Sequence, residues 1–289
     1  MKYCIVVLNY NDYDTTKEFI EKINKTNSDL EIIIVDNNST DDSYSKLKAE
    51  FGQSYDVVQT DKNGGYAYGN NYGVKYAIEK YGYKYCAICN PDVIINPQIF
   101  NKALHILNTD EKKAIVGFKM LDKNKEVQKY CWKMPSYWYE VLSSLVICNK
   151  LFLRKRDEYS EKYLSDDISK VDVVAGSCMF IDIDKFVSMG LFDENTFLFC
   201  EEQILGKKAK DKGFDIVVMN NETYIHNHSV SINKSFSSIL SKYVIHQNSK
   251  GIYIKNHLKC SKLKYFIFNV VTKIGWLERK LALTMIKKR

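Results

Sequence analysis

The chain has 289 residues, 45% hydrophobic and 27% charged, which is typical of a soluble globular protein with one large domain or a domain plus an appendage. It has no repeat or low-complexity tract, and its eight cysteines form no disulfide framework, which argues against solenoids and disulfide-rich scaffolds. The net charge of +7 arises at the carboxyl terminus, where residues 242–289 carry twelve Lys and Arg against one acid.

Apolar runs alternate with helical patterns along the first third of the chain. Strands are predicted at residues 4–8, 32–35, 56–58 and 84–89. Helices are predicted at residues 15–23, after the polar segment 36–42 up to residue 47, and at residues 66–80. Continuously apolar strands are buried on both faces, so the alternation predicts a parallel sheet built from βαβ units. Polar segments follow three strands, at Asn9, Asp36 and Asp92, and we expect their side chains to converge on one edge of the sheet.

Asp92 follows the fourth predicted strand, after Asn90 and Pro91. Pro91 fixes its own φ and keeps Asn90 extended, so covalent geometry directs the acid. Ligands of open α/β sheets bind at this carboxyl edge, which favours a functional acid. The alternative is that Asp92 caps a helix predicted to begin near Asn96.

Seven short motifs follow one another between residues 3 and 235. They are residues 7–11 (Val-Leu-Asn-Tyr-Asn), 34–41 (Ile-Val-Asp-Asn-Asn-Ser-Thr-Asp), 63–73 (beginning Asn-Gly-Gly-Tyr), 90–92 (Asn-Pro-Asp), 175–177 (Ala-Gly-Ser), 190–194 (Gly-Leu-Phe-Asp-Glu) and 197–202 (Phe-Leu-Phe-Cys-Glu-Glu). In this order and spacing they resemble the family 2 glycosyltransferases of the GT-A fold. The resemblance is strongest to bacterial, rhamnosyltransferase-like enzymes that build capsule, O-antigen and other surface polysaccharides.

The resemblance implies a nucleotide-sugar donor held by the first βα loops. Its predicted contacts are Asp36 to the ribose or base, Asn9 and Tyr10 along the base, Asn63 and Gly65 where backbone approaches the diphosphate, Asn90 beside it, and Lys234 as a point charge. Each has a structural alternative. The segment around Asp36 also suits a loop and a helix N-cap, and glycines also serve tight turns.

A divalent cation, Mn²⁺ or Mg²⁺, is expected to neutralise the diphosphate leaving group. Asp92 corresponds to the last acid of the family's DxD-like element and is the predicted protein ligand. Asn90 stands where many relatives have an acid, which weakens the predicted metal site. In some relatives a histidine completes the metal shell, and His226 and, second, His228 are the candidates; a hydrogen bond to the diphosphate and plain burial are the alternatives.

The acceptor hydroxyl requires a general base. In relatives a Glu-Asp pair opens a helix here and its second acid is the base, which implies Glu202 as the base and Glu201 as its orienting neighbour. The chain departs from the family at Ile204, where many relatives have an acid, and in having Glu for the usual Asp. Alternatively, both acids simply favour a helix N-terminus through its dipole.

The basic carboxyl-terminal region contains an apolar stripe, from Phe266 to Met285 at three- and four-residue spacing, with basic residues between. This pattern predicts an amphipathic helix on an anionic membrane surface, with Tyr265 and Trp276 at the interface. The alternative is a helix packed on the catalytic domain or on a second subunit of a homodimer. Nucleic acid is not an expected partner, because no binding motif accompanies the charge.

We therefore expect a GT-A domain at residues 1–235 and a basic helical region at 236–289. The expected enzyme is a metal-dependent, inverting glycosyltransferase that moves a hexose or deoxyhexose from a UDP- or dTDP-sugar to a glycan or lipid-linked oligosaccharide acceptor. The expected location is the cytoplasm, peripheral on the inner face of the cell membrane. Two alternatives are a sugar nucleotidyltransferase, which would need a glycine-rich loop after the first strand, and an inactive scaffold subunit, which would lack the acids.

Overall fold

A mixed, mostly parallel sheet flanked by helices forms the centre of the computed structural model, which describes residues 2–26, 30–153, 156–227 and 238–287. The strands are β1 (Cys4–Asn9), β2 (Glu31–Asp36), β3 (Asp56–Gln59), β4 (Tyr85–Cys89), β5 (Val93–Ile94), β6 (Lys113–Leu121), β7 (Cys131–Trp132), β8 (Ile168–Val171), β9 (Val173–Val174), β10 (Cys178–Asp182) and β11 (Asp215–His226). The main sheet has the order β3-β2-β1-β4-β10-β6-β11-β5, and β8 also pairs with β11.

Helices cover both faces of this sheet. They are α1 (Tyr13–Thr26), α2 (Ser43–Phe51), α3 (Gly65–Tyr81), α4 (Ile99–Asn108), α5 (Tyr137–Leu142), α6 (Val146–Cys148), α7 (Ile183–Ser188), α8 (Glu201–Lys212), α9 (Ile239–Ile252) and α10 (Lys262–Lys287). Two π-helical turns, Asn149–Leu153 and Tyr253–His257, follow α6 and α9.

The predicted parallel half-sheet is confirmed. β3, β2, β1 and β4 pair in parallel, whereas β10 runs antiparallel between β4 and β6. Every residue of β4 is buried, and β1 and β2 are buried at all but one position each, which explains their unbroken apolar sequences. Because the strands are parallel, the polar residues that follow them lie at one edge.

The carboxyl-terminal helices pack against the body of the protein. Phe268 of α10 is buried with Tyr137 and Val141 of α5, and Tyr253 is buried with Ile204 of α8. Tyr265, one of the two residues predicted at a membrane interface, is half-buried and packs against the cluster around Phe268. In the part of the chain that the structure describes, no helix combines the length and apolarity needed to cross a membrane.

Gly65 brings the start of α3 against the segment that leads into α8. Its φ is +87°, and a Cβ at this position would lie 2.0 Å from the Phe197 carbonyl oxygen. That oxygen accepts a hydrogen bond from the Tyr66 N–H at 3.0 Å. Only glycine permits both the positive φ and the close backbone approach.

Gly65→Ala should therefore lower the free energy of unfolding by several kcal/mol, since it adds a steric clash to about 1–2 kcal/mol of left-handed strain. Gly82→Ala is the matched control, because Gly82 also has a positive φ (+65°) but a Cβ there would meet nothing within 4 Å. Urea unfolding should show a clearly smaller loss for Gly82→Ala. Equal losses would contradict a steric cost from the Phe197 carbonyl beyond the left-handed strain.

Candidate active site at the carboxyl edge of the sheet

Asn9 and Asp36 are buried neighbours in register at the ends of β1 and β2. Asp36 Oδ2 accepts from the Asn9 amide at 2.8 Å and from the Ser39 hydroxyl at 2.6 Å. Asp36 Oδ1 accepts from the Ser39 N–H at 2.9 Å and from Gln59 at 3.0 Å. These four bonds fill the usual acceptor capacity of a carboxylate, so a nucleotide would contact Asp36 by displacing one of the donors.

Asn63 and Gly65 lie where α3 begins and contact other protein groups. The Asn37 side chain donates to Asn63 Oδ1 at 3.0 Å and to the Gly65 carbonyl at 3.1 Å. Asn63 Oδ1 also accepts from the Gly65 N–H at 3.1 Å. Asn37 thus ties the loop before α3 to the end of β2, while Tyr10 lies half-buried just after β1.

Asp92 and His226 meet beyond the end of β4. The Asn90 N–H donates to the Ser177 carbonyl at 2.8 Å, and the Asp92 carbonyl accepts from the Asn227 N–H at 3.0 Å. These bonds place Asp92 beside the end of β11, where its Oδ1 lies 3.1 Å from His226 Nε2. Both side chains are buried. The structure thus brings the strand-end acid and the preferred histidine into direct contact.

The Asp92–His226 pair fits a divalent cation as two adjacent ligands. Neighbouring ligand atoms about 2.1 Å from an octahedral ion lie about 3 Å apart, close to the observed separation. Among the described residues, no group of three or more His, Cys, Asp or Glu is placed to hold a metal. Further ligands would come from residues outside the described ranges or from phosphate oxygens and water, which Mg²⁺ usually keeps at nucleotide sites.

Two further predicted site residues, His228 and Lys234, lie outside the described residues. Their roles, as a second metal-ligand candidate and as a cation for the diphosphate, stay predictions. Of the predicted metal ligands, the structure describes Asp92 and His226.

Two consecutive residues with left-handed backbone precede α8. Phe199 has a φ of +74° and Cys200 one of +71°, a region that side chains rarely adopt. Such strain costs on the order of 1–3 kcal/mol per residue and persists only where the surroundings enforce it. Here Cys200 packs with Tyr253, and the Phe199 ring lies 4.9 Å from that of His246. The carboxyl-terminal region thus helps to hold the turn that starts α8.

Glu201 and Glu202 form the first turn of α8. Glu201 is buried, and its Oε1 has no hydrogen-bond partner among the described residues. Glu202 is partly exposed, and its Oε1 accepts from the Gly176 N–H at 3.3 Å. The Tyr66 hydroxyl donates to the Gly176 carbonyl at 2.6 Å, which fixes that peptide. Glu202 is therefore oriented, whereas Glu201 retains a buried acceptor atom.

Burial raises the pKa of both carboxyls. For Glu201, desolvation and then the charge of Glu202 raise the pKa from 4.5 to about 8. For Glu202, desolvation raises the pKa, and backbone N–H groups including that of Gly176 oppose the rise. Because neighbouring carboxylates resist simultaneous ionisation, the raised pKa keeps Glu201 protonated near neutral pH. The negative charge belongs mainly on Glu202, whose ionised form receives the Gly176 hydrogen bond.

A cavity of about 540 Å³ opens in front of the acidic pair. Glu201, Glu202, Asn90 and His226 all line it, so the sheet edge and the start of α8 face one space. Asp92 borders the cavity through its contact with His226. The carboxyl-terminal helices supply a further wall, made of Tyr243, His246, Gln247, Lys250 and Arg279.

The sequence analysis did not identify the residues of this wall, His246 among them. Burial, followed by the charges of Lys250 and Arg279, lowers the pKa of His246 to about 3, so it lines the cavity as a neutral imidazole. One signal was present in the sequence. Gly275 lies in the middle of α10, and a Cβ there would lie 2.2 Å from the Ser144 carbonyl oxygen, so this glycine marks a close contact.

A buried ion pair joins this wall to α5. Lys250 Nζ lies 3.1 Å from Glu140 Oε2, and both side chains are at most 5% exposed. Gln203, next to the acidic pair, donates to Glu140 Oε1 at 2.8 Å, and Lys250 donates to Ser143 Oγ at 2.6 Å. Because these hydrogen bonds satisfy the buried charges, the ion pair fixes α9 beside the start of α8.

Comparison with known proteins assigns these motifs to a family. The model of the family described as "Glycosyl transferase family 2" matches residues 4–180, which is more than half of the chain. The rhamnosyltransferase WbbL of Escherichia coli K12 is 27% identical over 205 residues, which are 68% of this chain and 73% of WbbL. The low-salt glycan biosynthesis hexosyltransferase Agl10 of Haloferax volcanii is 22% identical over 279 residues, 94% of this chain and 82% of Agl10.

Solved structures support the fold. Residues 1–349 of S. aureus TarS, in complex with UDP-GlcNAc, match with a TM-score of 0.57 at 14% identity, covering 92% of this chain and 69% of that one. The mannosyltransferase PcManGT of Pyrobaculum calidifontis, in complex with GDP-Man and Mn²⁺, matches with a TM-score of 0.57 at 12% identity. The match covers 99% of this chain and 75% of PcManGT. The predicted GT-A fold is thereby confirmed.

Replacing Glu201 by Gln should flatten the pH dependence of stability. The unfolded carboxyl ionises near 4.5 and the folded one near 8, so the parent loses stability as the pH rises through this interval. The loss is at most about 5 kcal/mol. The Gln side chain does not ionise, so the variant loses no stability from this group. The free energy of unfolding of Glu201→Gln relative to that of the parent should therefore grow from pH 5 to pH 8 in urea unfolding.

The exposed Glu161 provides a control, and Glu161→Gln should follow the parent curve at every pH. A constant difference between Glu201→Gln and the parent across this range would contradict the raised pKa of Glu201.

Proposed function

Because the chain belongs to glycosyl transferase family 2, we propose that it transfers a hexose or deoxyhexose from a UDP- or dTDP-sugar to a glycan acceptor, with inversion. The observation that carries the proposal is that His226, in contact with Asp92, and the pair Glu201–Glu202 line one cavity. The first pair suits the diphosphate and the second suits the acceptor hydroxyl. The similarity to a rhamnosyltransferase and a hexosyltransferase supports the sugar class.

The donor is proposed to lie along the carboxyl edge of β1, β2 and β4. Asp36 ends β2, Tyr10 and Asn90 directly follow β1 and β4, and hydrogen bonds hold these strand ends rigidly. Rigid placement limits the entropy lost on binding. UDP-GlcNAc in TarS supports a nucleoside diphosphate as the ligand of this fold.

A divalent ion bound here would supply Lewis-acid stabilisation of the diphosphate leaving group. Asp92 would hold it through a carboxylate oxygen and His226 through Nε2. The Asn227 N–H, bonded to the Asp92 carbonyl, keeps the acid at the strand end. Mn²⁺ in PcManGT supports such an ion.

Glu202 is proposed as the general base. The acceptor oxygen bonds to the anomeric carbon, the bond from that carbon to the diphosphate breaks, and Glu202 takes the hydroxyl proton. A single in-line displacement of this kind inverts the configuration. The Gly176 N–H orients Glu202 for this step, and the raised pKa of Glu202 increases its proton affinity. Glu201, protonated near neutral pH, remains able to hydrogen-bond the acceptor.

The acceptor is proposed to be a lipid-linked glycan of bacterial surface-polysaccharide synthesis, such as capsule or O-antigen, reached at the cytoplasmic face of the membrane. The support is the basic, amphipathic α10. Phe268 packs against the body of the protein, and the apolar stripe on another side of the helix stays exposed. The side chains of Phe266, Leu281 and Met285 are 64%, 65% and 71% exposed, respectively. A helix with a packed face and an exposed basic-apolar face suits an interface rich in anionic lipid.

Asp92→Asn should lower the turnover of sugar transfer about a hundredfold or more, the usual effect of losing a key electrostatic stabiliser. The assay is nucleoside diphosphate release at saturating Mn²⁺ with a panel of nucleotide sugars. Asp122→Asn, in an exposed turn after β6, is the control and should retain full activity. Full activity of Asp92→Asn at saturating metal would refute the assignment.

Glu202→Gln should reduce transfer by roughly 10² to 10⁴ while donor affinity stays near the parent value. Isothermal titration with the nucleoside diphosphate measures affinity, and product formation measures transfer. Glu126→Gln, on the surface, is the control. If Glu201→Gln is the more damaging change, Glu201 is the base. A parent protein that binds donor but neither hydrolyses nor transfers it would be a scaffold.

A further inference from the structure

The segment from α6 through the following π-helical turn exposes four large apolar side chains. Val146, Ile147, Leu151 and Phe152 are 39%, 60%, 67% and 67% exposed, respectively. We name these four residues the apolar knob. Such a cluster within seven residues is uncommon on a soluble surface and indicates an interaction site. Lys150, also exposed, lies within it.

The knob is fastened to the flank of α10. The Val146 N–H donates to Glu278 Oε2 at 2.7 Å. Arg279 donates to the Ser144 carbonyl at 2.8 Å, and Gly275 allows α10 to approach that same carbonyl. The knob and α10 therefore present their exposed surfaces from one assembled unit.

The outward surface of α10 has two parallel rows. At 100° per residue, the exposed residues Leu263, Phe266, Val270, Ile274, Leu277, Leu281 and Met285 fall within one sector about 100° wide. The exposed Lys262, Lys273 and Lys280 occupy a band about 20° wide that begins about 20° beyond this sector. An apolar row beside a lysine row matches the boundary between acyl chains and anionic headgroups.

Charge favours lipid over a second copy of the chain as the occupant. Glu278 is the only acid of α10 and is already engaged by the Val146 N–H. Two copies packed row against row would bring lysines close to lysines, with no acid of α10 available between them. An anionic bilayer neutralises the lysine row and covers the apolar row at the same time.

The cavity extends to this surface. Asn149, between Ile147 and Leu151 of the knob, lines the cavity that contains Glu201 and Glu202, and so does Arg279 of α10. The elements that carry the exposed apolar side chains are thus also walls of the proposed active site.

We propose that the apolar knob is a second membrane-inserting element beside α10, and that together they hold the mouth of the cavity at an anionic bilayer. The inference rests on the membrane contact in the proposed function. It adds that insertion requires the knob and not the helix alone, and it orients the cavity toward an acceptor whose lipid remains in the membrane.

Phe152→Trp places a fluorophore in the knob with little change of shape. The fluorescence of the added tryptophan is the emission of the variant minus that of the parent. With vesicles of phosphatidylglycerol and acyl-brominated phosphatidylcholine, this difference should be strongly quenched. Val187→Trp, at an exposed apolar position on α7, should show no such quenching. Unquenched Phe152→Trp emission on bound protein would overturn the proposal.

The double variant Leu151→Ser/Phe152→Ser should weaken vesicle binding about tenfold or more, because two large side chains no longer leave water. The control Val127→Ser/Val187→Ser, also exposed, should bind like the parent. An unchanged urea midpoint shows that the knob variant is folded.

Three results separate the possibilities. Unchanged binding of the knob variant, with binding lost in Leu277→Ser/Leu281→Ser, would overturn the knob but leave the membrane contact standing. A parent that does not bind anionic vesicles would overturn both. A dimeric parent that the knob variant renders monomeric by light scattering would identify the surface as a subunit interface and overturn the proposal.

Discussion

Two adjacent carboxyls at the start of α8, one buried and one partly exposed, are the constraint on which the rest of the site depends. Their charge is unfavourable in a buried setting, yet the amino terminus of a helix favours it. The balance keeps a proton on Glu201 near neutral pH, while the Gly176 N–H orients Glu202. The strained backbone of Phe199 and Cys200 directs both acids into the cavity.

Segments far apart in the chain hold that arrangement in place. On one side, the glycine at the start of α3 lets the backbone contact the Phe197 carbonyl, which positions the segment before α8. On the other side, Lys250 and Glu140 form a buried pair that Gln203 completes. The carboxyl-terminal helices are therefore part of the wall of the site, and deleting them would expose Tyr137 and open the cavity. Single substitutions test their surface more cleanly than truncation.

The fold and the strand-end residues were predictable from sequence because they depend on local patterns. The apolar runs of β1, β2 and β4 set the parallel sheet, and its geometry brings Asp92 to the edge where the structure has it. His226 was predicted from the family resemblance, since in some relatives a histidine completes the metal shell. The position of Glu202 followed from a motif at the start of a helix.

Contacts between distant segments were not predictable in the same way. The pairing of Lys250 with Glu140 joins residues 110 positions apart and leaves no periodic signal. The four hydrogen bonds on Asp36 depend on Gln59 and Ser39 reaching it in the folded chain. A pattern in sequence identified Asp36 as polar at a strand end, but its partners are decided by packing.

The central claim is that the Asp92–His226 pair and the Glu201–Glu202 pair serve one donor and one acceptor in a single cavity. A crystal structure of the protein with a nucleoside diphosphate and Mn²⁺ tests it most directly. The account predicts an ion within about 2.2 Å of an Asp92 oxygen, bridged to the diphosphate, with the terminal phosphate facing the cavity that Glu202 lines. A diphosphate bound away from this edge, or an ion held without Asp92, would contradict it.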